Sequence, residues 1–168
     1  MKKLLRAILI LIAFVILALA VSYLVSGGQT AIVNHVTINR PPDVVFDYVA
    51  DMRNELKWND DVELVEKSSE GPVGLGTTYR AKWEMSDTLG VTVTSYERPR
   101  LVTFQNGGAL EVTVELRLSP NGEATDLEAR FLVTPHGFAR AMFPIIGSQL
   151  KTAESKNMQE LKRALEQG

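Results

Sequence analysis

An α+β domain, in which a curved antiparallel sheet of about seven strands is covered by one long C-terminal helix, is the fold class this sequence predicts. Three observations carry it. From Val62 to Val133 apolar and polar residues alternate in six consecutive runs separated by turn residues. From about Phe138 to Glu166 the period becomes helical, with Met142, Ile146, Leu150, Ala153, Met158, Leu161 and Leu165 along one stripe. Successive strands joined by tight turns must be antiparallel, and their one apolar face needs a cover that only this long helix has the apolar area to supply.

The elements follow in order. "AIVNHVTI" alternates, with Ile32, Val36 and Ile38 on one face and Val33, His35 and Thr37 on the other, as in a half-buried strand. Pro41 and Pro42 preset a helix start and Asp43 adds a favourable charge to its first turn. Val45, Phe46 and Val49 then fall at helical spacing, and "MRNELKW" makes one further turn ending in Trp58. In "TTYRAKWEM", Tyr79, Ala81, Trp83 and Met85 form an apolar face opposite Arg80, Lys82 and Glu84. Arg98, Pro99 and Arg100 make a turn, and "LEVTVELRL" turns Leu110, Val112, Val114, Leu116 and Leu118 one way. Asn121 and Gly122 give a hairpin signal before "TDLEARFLV" returns with Leu127, Ala129, Phe131 and Val133 inward. Pro144 is expected to bend or start the last helix.

This domain is preceded by a membrane signal. Lys2, Lys3 and Arg6 stand before an uncharged run from Ala7 to Val25, 19 residues, about the length that crosses a bilayer's hydrocarbon. The positive-inside rule then places the N-terminus in the cytoplasm and the domain outside. The rival reading is a cleaved secretory signal ending at Ala18–Ala20, although "VSYLV" carries the apolar run past that site. The expected organisation is an anchor or signal over 1–27, a joint over 28–30 and one domain over 31–168, for which a composition of 45% hydrophobic and 23% charged residues is ordinary. With no cysteine in the chain, disulfides, thiolate nucleophiles and cysteine metal sites are excluded. Without the three N-terminal cations the remainder holds 15 basic residues against 20 acidic. That balance disfavours nucleic acid and offers no polybasic patch for anionic headgroups.

"TINRPPDVVFDYVADMRNELKW", the downstream "GPVGLGTTY" and the closing helix ending "LKRALE" together resemble the START-like, polyketide cyclase/dehydrase superfamily known as SRPBCC, over roughly Ile32 to Glu166. The resemblance implies a helix-grip fold with a deep, mostly apolar cavity between sheet and C-terminal helix, a site for lipids, polyketides and other hydrophobic ligands.

The residues themselves show no strong catalytic signature. His35 shares an outer strand face, and His136, in "TPHGF", is a weak acid/base candidate at what the resemblance makes a cavity mouth, as is Tyr79. There is no G-x-S-x-G, and Gly71, Gly74 and Gly76 lack the order of a phosphate-binding loop. Asp51, Asp60 and Asp61 are read as capping and turn charges rather than a calcium site, and no cofactor or metal is expected. Trp58, Tyr79, Trp83, Met85, Phe104, Phe131, Phe138, Met142 and Ile146 are the expected cavity residues. The leading functional expectation is binding of a hydrophobic small molecule or lipid by a membrane-tethered domain. A cyclase or dehydratase acting on a polyketide-like substrate, and a structural module whose cavity is filled by its own side chains, are the alternatives.

Overall fold

The computed structural model describes residues 2–84 and 86–167. Helix α1, Lys2–Val25, is followed by strand β1, Thr30–Ile38, helix α2, Pro42–Ala50, and a 3-10 turn, Met52–Lys57. Strands β2, Val62–Lys67, β3, Thr78–Trp83, β4, Leu89–Glu97, β5, Leu101–Asn106, β6, Leu110–Asn121, and β7, Ala124–Pro135, lead to helix α3, Gly137–Gln167. These seven strands join one antiparallel sheet in the order β1-β7-β6-β5-β4-β3-β2, so the first strand closes onto the last of a six-strand meander. The α+β helix-grip architecture expected from the sequence is the one observed.

Local chemistry accounts for the elements that frame the cavity. Pro41 stands at the N-cap of α2 in extended conformation and Pro42 opens the helix, where its missing N–H costs nothing. Val45 and Phe46 are then fully buried beneath the sheet. Asp51 ends α2 and caps the next turn, its Oδ1 accepting the Arg53 N–H at 3.2 Å. The β6–β7 hairpin differs by one position from the Asn-Gly signal: Asn121 still pairs with Ala124, and the two-residue loop is Gly122–Glu123. Gly122 has φ +62, while among the described residues no residue type other than glycine takes positive φ, which matches a turn with glycine at its first central position.

Helix α3 runs unbroken through Pro144, which removes one helical N–H in an exposed stretch but neither starts nor ends the helix. Its C-terminal end is fixed to the start of the domain. Arg40 Nε donates to the Leu165 carbonyl at 2.8 Å, and the Asn39 N–H donates to Glu166 Oε1 at 2.8 Å. Its N-terminal end is fixed to α1: Ser22 Oγ donates to the Ala141 carbonyl at 2.6 Å, and Arg140 Nε donates to the Ser26 carbonyl at 3.1 Å. The Arg140 guanidinium also lies 4.7 Å from the centre of the Tyr23 ring. Between these ends α3 packs along β1 and β7, leaving its other flank turned toward the 3-10 turn, β2 and β3.

Candidate functional site

A cavity of about 450 Å³ lies between α3 and the sheet, within the size range of small-molecule sites. The register locates it. Val133 opposite Thr30, Pro135 opposite Leu110, Asn106 opposite Val91 and Trp83 opposite Val62 all belong to the sheet end at which α1 delivers the chain. Leu110, Val112 and Val114 from β6, Val91 from β4, Phe104 from β5 and Phe131 from β7 make the floor. Ile146, Leu150, Ala153, Met158 and Leu161 of α3 make the roof, and Tyr48, Met52 and Trp58 close one side. At the other end of the sheet α2 plugs the same space with Val45 and Phe46, while Val49 borders the cavity.

The wall also carries polar residues, and two of them are carboxyls drawn out of water. Glu55 of the 3-10 turn and Glu154 of α3 both line the cavity, with Asn157 one turn beyond Glu154. Each glutamate keeps part of its stem exposed, yet Glu55 Oε2 is sealed from solvent without a hydrogen-bond partner, and so is Trp58 Nε1. Burial, with the Glu154 charge adding to it, pushes the Glu55 carboxyl up to about 8. Burial and the nearby Asp61 charge push Glu154 up to about 7, against the opposing pull of the Asn157 amide. Two like groups in one wall cannot easily both ionise, so the ligand-free site holds protons near neutral pH.

The residues expected at the site divide. Trp58, Trp83, Phe104, Phe131 and Ile146 stand on the cavity wall. Met85 lies outside the described residues. Tyr79 is 1% exposed, but it sits deeper on β3 than Trp83, toward the plugged end, and is not part of the wall. Burial pushes its hydroxyl up to about 12. Phe138 is 72% exposed at the first turn of α3, and Met142 is partly buried away from the cavity. The reason is the partner: this part of α3 is covered by α1, through Ala141, and by β1, beside Phe143, so the stripe that faces the cavity starts only at Ile146. His136 is about half exposed, with Nε2 3.4 Å from Glu111 Oε2, outside the cavity. His35 is exposed on β1, 3.9 Å from Glu128.

Glu84, expected on the outer face, follows β3 and borders the lip of the cavity. Asp51 is paired with Arg53 at 2.6 Å and Asp60 with Lys156 at 3.2 Å, as cap and turn charges should be. Sequence reasoning missed Glu55 and Glu154. A signal existed for the second, because Leu150, Glu154, Asn157 and Leu161 recur at helical spacing, which sets two polar residues inside an apolar stripe.

The family model described as "Polyketide cyclase / dehydrase and lipid transport" matches residues 29–166. No curated protein is similar enough in sequence to count as a match. Among solved structures, Ara h 8.0201 is 13% identical with a TM-score of 0.65, over 84% of this chain and 100% of that one. TTHA0849 from Thermus thermophilus is 14% identical with a TM-score of 0.66, over 81% and 97%. The Zhui aromatase/cyclase from Streptomyces sp. R1128 is 14% identical with a TM-score of 0.59, over 81% and 96%. At these identities the structures share the fold. With the family model spanning most of its length and the helix-grip fold in place, the chain belongs to the polyketide cyclase/dehydrase and lipid transport family, within the SRPBCC superfamily.

Proposed function

We propose that this protein binds a hydrophobic small molecule or lipid in the cavity under α3, and that α1 holds the cavity at a membrane surface, where it would serve transport or sensing. The observation that carries the reading is the cavity of about 450 Å³ with a predominantly aliphatic and aromatic wall. At about 25 cal/mol per Å² of apolar surface removed from water, such a wall supplies affinity without directional contacts. The space also weakens the alternative of a module packed solid by its own side chains.

The membrane part of the proposal rests on α1, which is long and apolar enough to cross a bilayer and none of whose residues is fully buried. Its last turns are bonded to the first turns of α3, at the cavity end of the sheet. In this reading residues 1–27 anchor, 28–30 join and 31–168 bind. The cytoplasmic N-terminus and outward domain follow from Lys2, Lys3 and Arg6. A ligand that partitions into the bilayer would then meet the cavity within a short distance of the surface. A cyclase or dehydratase would draw on the carboxyls of the wall, Glu55 and Glu154 among them, since neither His136 nor Tyr79 lines the cavity.

Both tryptophans of the chain, Trp58 and Trp83, line the cavity, so intrinsic fluorescence reports its occupancy. Titrating the full chain in phosphatidylcholine liposomes with a brominated alkyl probe should quench both, saturably. Trp83→Glu should abolish saturable quenching of Trp58 while circular dichroism stays unchanged. Unsaturable quenching of the wild type, equal to that of free tryptophan, defeats the proposal.

A further inference from the structure

The cavity wall is strongly one-sided in charge. Asp51, Glu55, Asp61, Glu84 and Glu154 line it, and among the described residues no Lys, Arg or His does. Of the cations on the elements around it, Lys82 pairs with Glu63 and Lys156 with Asp60, away from the wall, while Arg53 pairs with Asp51 of the wall and Lys57 bonds Asn54 and lies 5.7 Å from the centre of the Tyr48 ring. Among the described residues no basic side chain pairs with Glu55 or Glu154.

A buried carboxyl with no donor is costly, and the ligand-free site meets that cost by keeping protons. Unpartnered polar atoms on residues that line a cavity mark where a ligand's polar end belongs, and Glu55 Oε2 and Trp58 Nε1 are two such atoms, in the same 3-10 turn and its cap. The rest of the wall would take a chain or ring system. Trp58, Trp83 and Tyr48 add aromatic faces, to which cations are also drawn.

Building on the ligand-binding reading above, we infer that the ligand is a cationic amphiphile whose protonated amine is received between Glu55 and Glu154, its apolar part lying along β6 and α3. The ammonium donates to both carboxylates, and the proton that each carboxyl held in the ligand-free site leaves to solvent. The indole N–H of Trp58 is left to donate to an oxygen acceptor near the amine. Fatty acids and phosphate-headed lipids are disfavoured, because they would set a negative group among five carboxyls.

The test uses decylamine, decanol and decanoate as probes of one chain length, titrated into the full chain in phosphatidylcholine liposomes and read by Trp58 and Trp83 fluorescence. Empty liposomes supply the partitioning blank. Decylamine should bind at least about tenfold more tightly than decanol at pH 8, the scale of charge-assisted hydrogen bonds. Its advantage should shrink toward pH 5 as Glu55 and Glu154 take protons, with Asp51, Asp61 and Glu84 as the other carboxyl residues on the wall. Glu55→Gln with Glu154→Gln, and Glu154→Gln alone as the milder change, should erase most of the preference for decylamine over decanol, the two probes being compared within each variant. Decanoate binding as tightly as decylamine, or an amine preference that survives both substitutions, overturns the cationic headgroup while decanol binding keeps the cavity reading alive. Failure of all three probes to bind overturns both.

Discussion

The inward face of β6 carries Leu110, Val112, Val114, Leu116 and Leu118 in one alternation, yet its two ends meet different surroundings. Leu118 is buried where α2 packs on the sheet, with Phe46 set edge-on to Tyr96 at 5.1 Å, and Leu116, also buried, borders the cavity. Leu110, Val112 and Val114 are only partly covered, because α3 passes over them without reaching the sheet. One pattern therefore makes a solid core at one end and a hollow at the other. What decides between them is whether a second helix fills the angle between sheet and α3, and α2, with nine residues, fills only half.

The largest effect that sharpens this contrast is a pair of truncations. Phe46→Ala removes a fully buried ring from the solid end and should cost about 3–5 kcal/mol of stability, read from chemical denaturation. Val112→Ala enlarges a space that already exists and should cost less than about 1 kcal/mol, since little packing is lost around it. If the two cost the same, the hollow end is as well packed as the solid one and the contrast fails.

A smaller effect tests the polar break in the hollow wall. Glu55 and Glu154 titrate at about 8 and about 7 in the folded chain, above the ordinary carboxylate value of about 4.3 that holds in the unfolded chain. Between those limits the folded state binds more protons, so stability from the neutral carboxyls is complete below about pH 4 and is lost as pH rises through 7 to 8. The ligand-free protein should therefore melt at lower temperature at pH 8.5 than at pH 5.5. Glu55→Gln should recover roughly 1–3 kcal/mol at pH 8.5 and little at pH 4.5. A melting profile that does not change with the substitution would place the Glu55 carboxyl in water.

How much of this was legible depends on where the signal resides. Periodicity is local, so the strands, the Pro-Pro start of α2 and the stripe from Ile146 to Leu165 can be read directly from the residues. Which inward residue meets protein and which meets open space is not local. Tyr79 and Trp83 share one face of β3, and only their distance from α2 and the 3-10 turn separates a sealed core residue from a wall residue. Phe138 and Met142 fit the helical stripe by spacing but belong to the first turns of α3, where Arg140 and Ala141 meet α1 and the cavity has not begun, an arrangement that no pattern within α3 announces. Glu55 has the same difficulty: in "MRNELKW" it looks like one more surface charge, and only the approach of α3 seals its carboxyl.

Filling the hollow end tests whether its space is for binding. Val114→Phe adds a ring where space of about 450 Å³ is available, so stability should change by less than about 1 kcal/mol. Saturable quenching by the alkyl probe should nonetheless weaken by about tenfold, because that ring would occupy the ligand's place. The same exchange at Leu118, under α2, should cost about 1–3 kcal/mol through overpacking. Equal tolerance at both positions would mean that the sheet relaxes as easily at one end as at the other.

The smallest expected effect concerns how the hollow is closed. Lys156 of α3 and Asp60 of the turn before β2 form an exposed pair at 3.2 Å across the side on which Glu55 and Glu154 face each other. Exposed pairs of this kind contribute about 0–1 kcal/mol, so Lys156→Ala should barely alter the melting temperature. The pair is nonetheless a direct tie between α3 and the Asn59–Asp61 turn at the flank where α3 leaves the sheet uncovered. If ligand leaves through that flank, Lys156→Ala should raise the dissociation rate of the alkyl probe by roughly two- to fivefold, seen by stopped-flow recovery of tryptophan emission, in proportion to the small free energy lost. The reversed pair, Lys156→Asp with Asp60→Lys, should restore the rate, which a nonspecific loosening of α3 would not. An unchanged dissociation rate in Lys156→Ala would move the exit to the β3–β4 side, past Glu84 and Ser86, where the lip is made by a turn rather than by a helix.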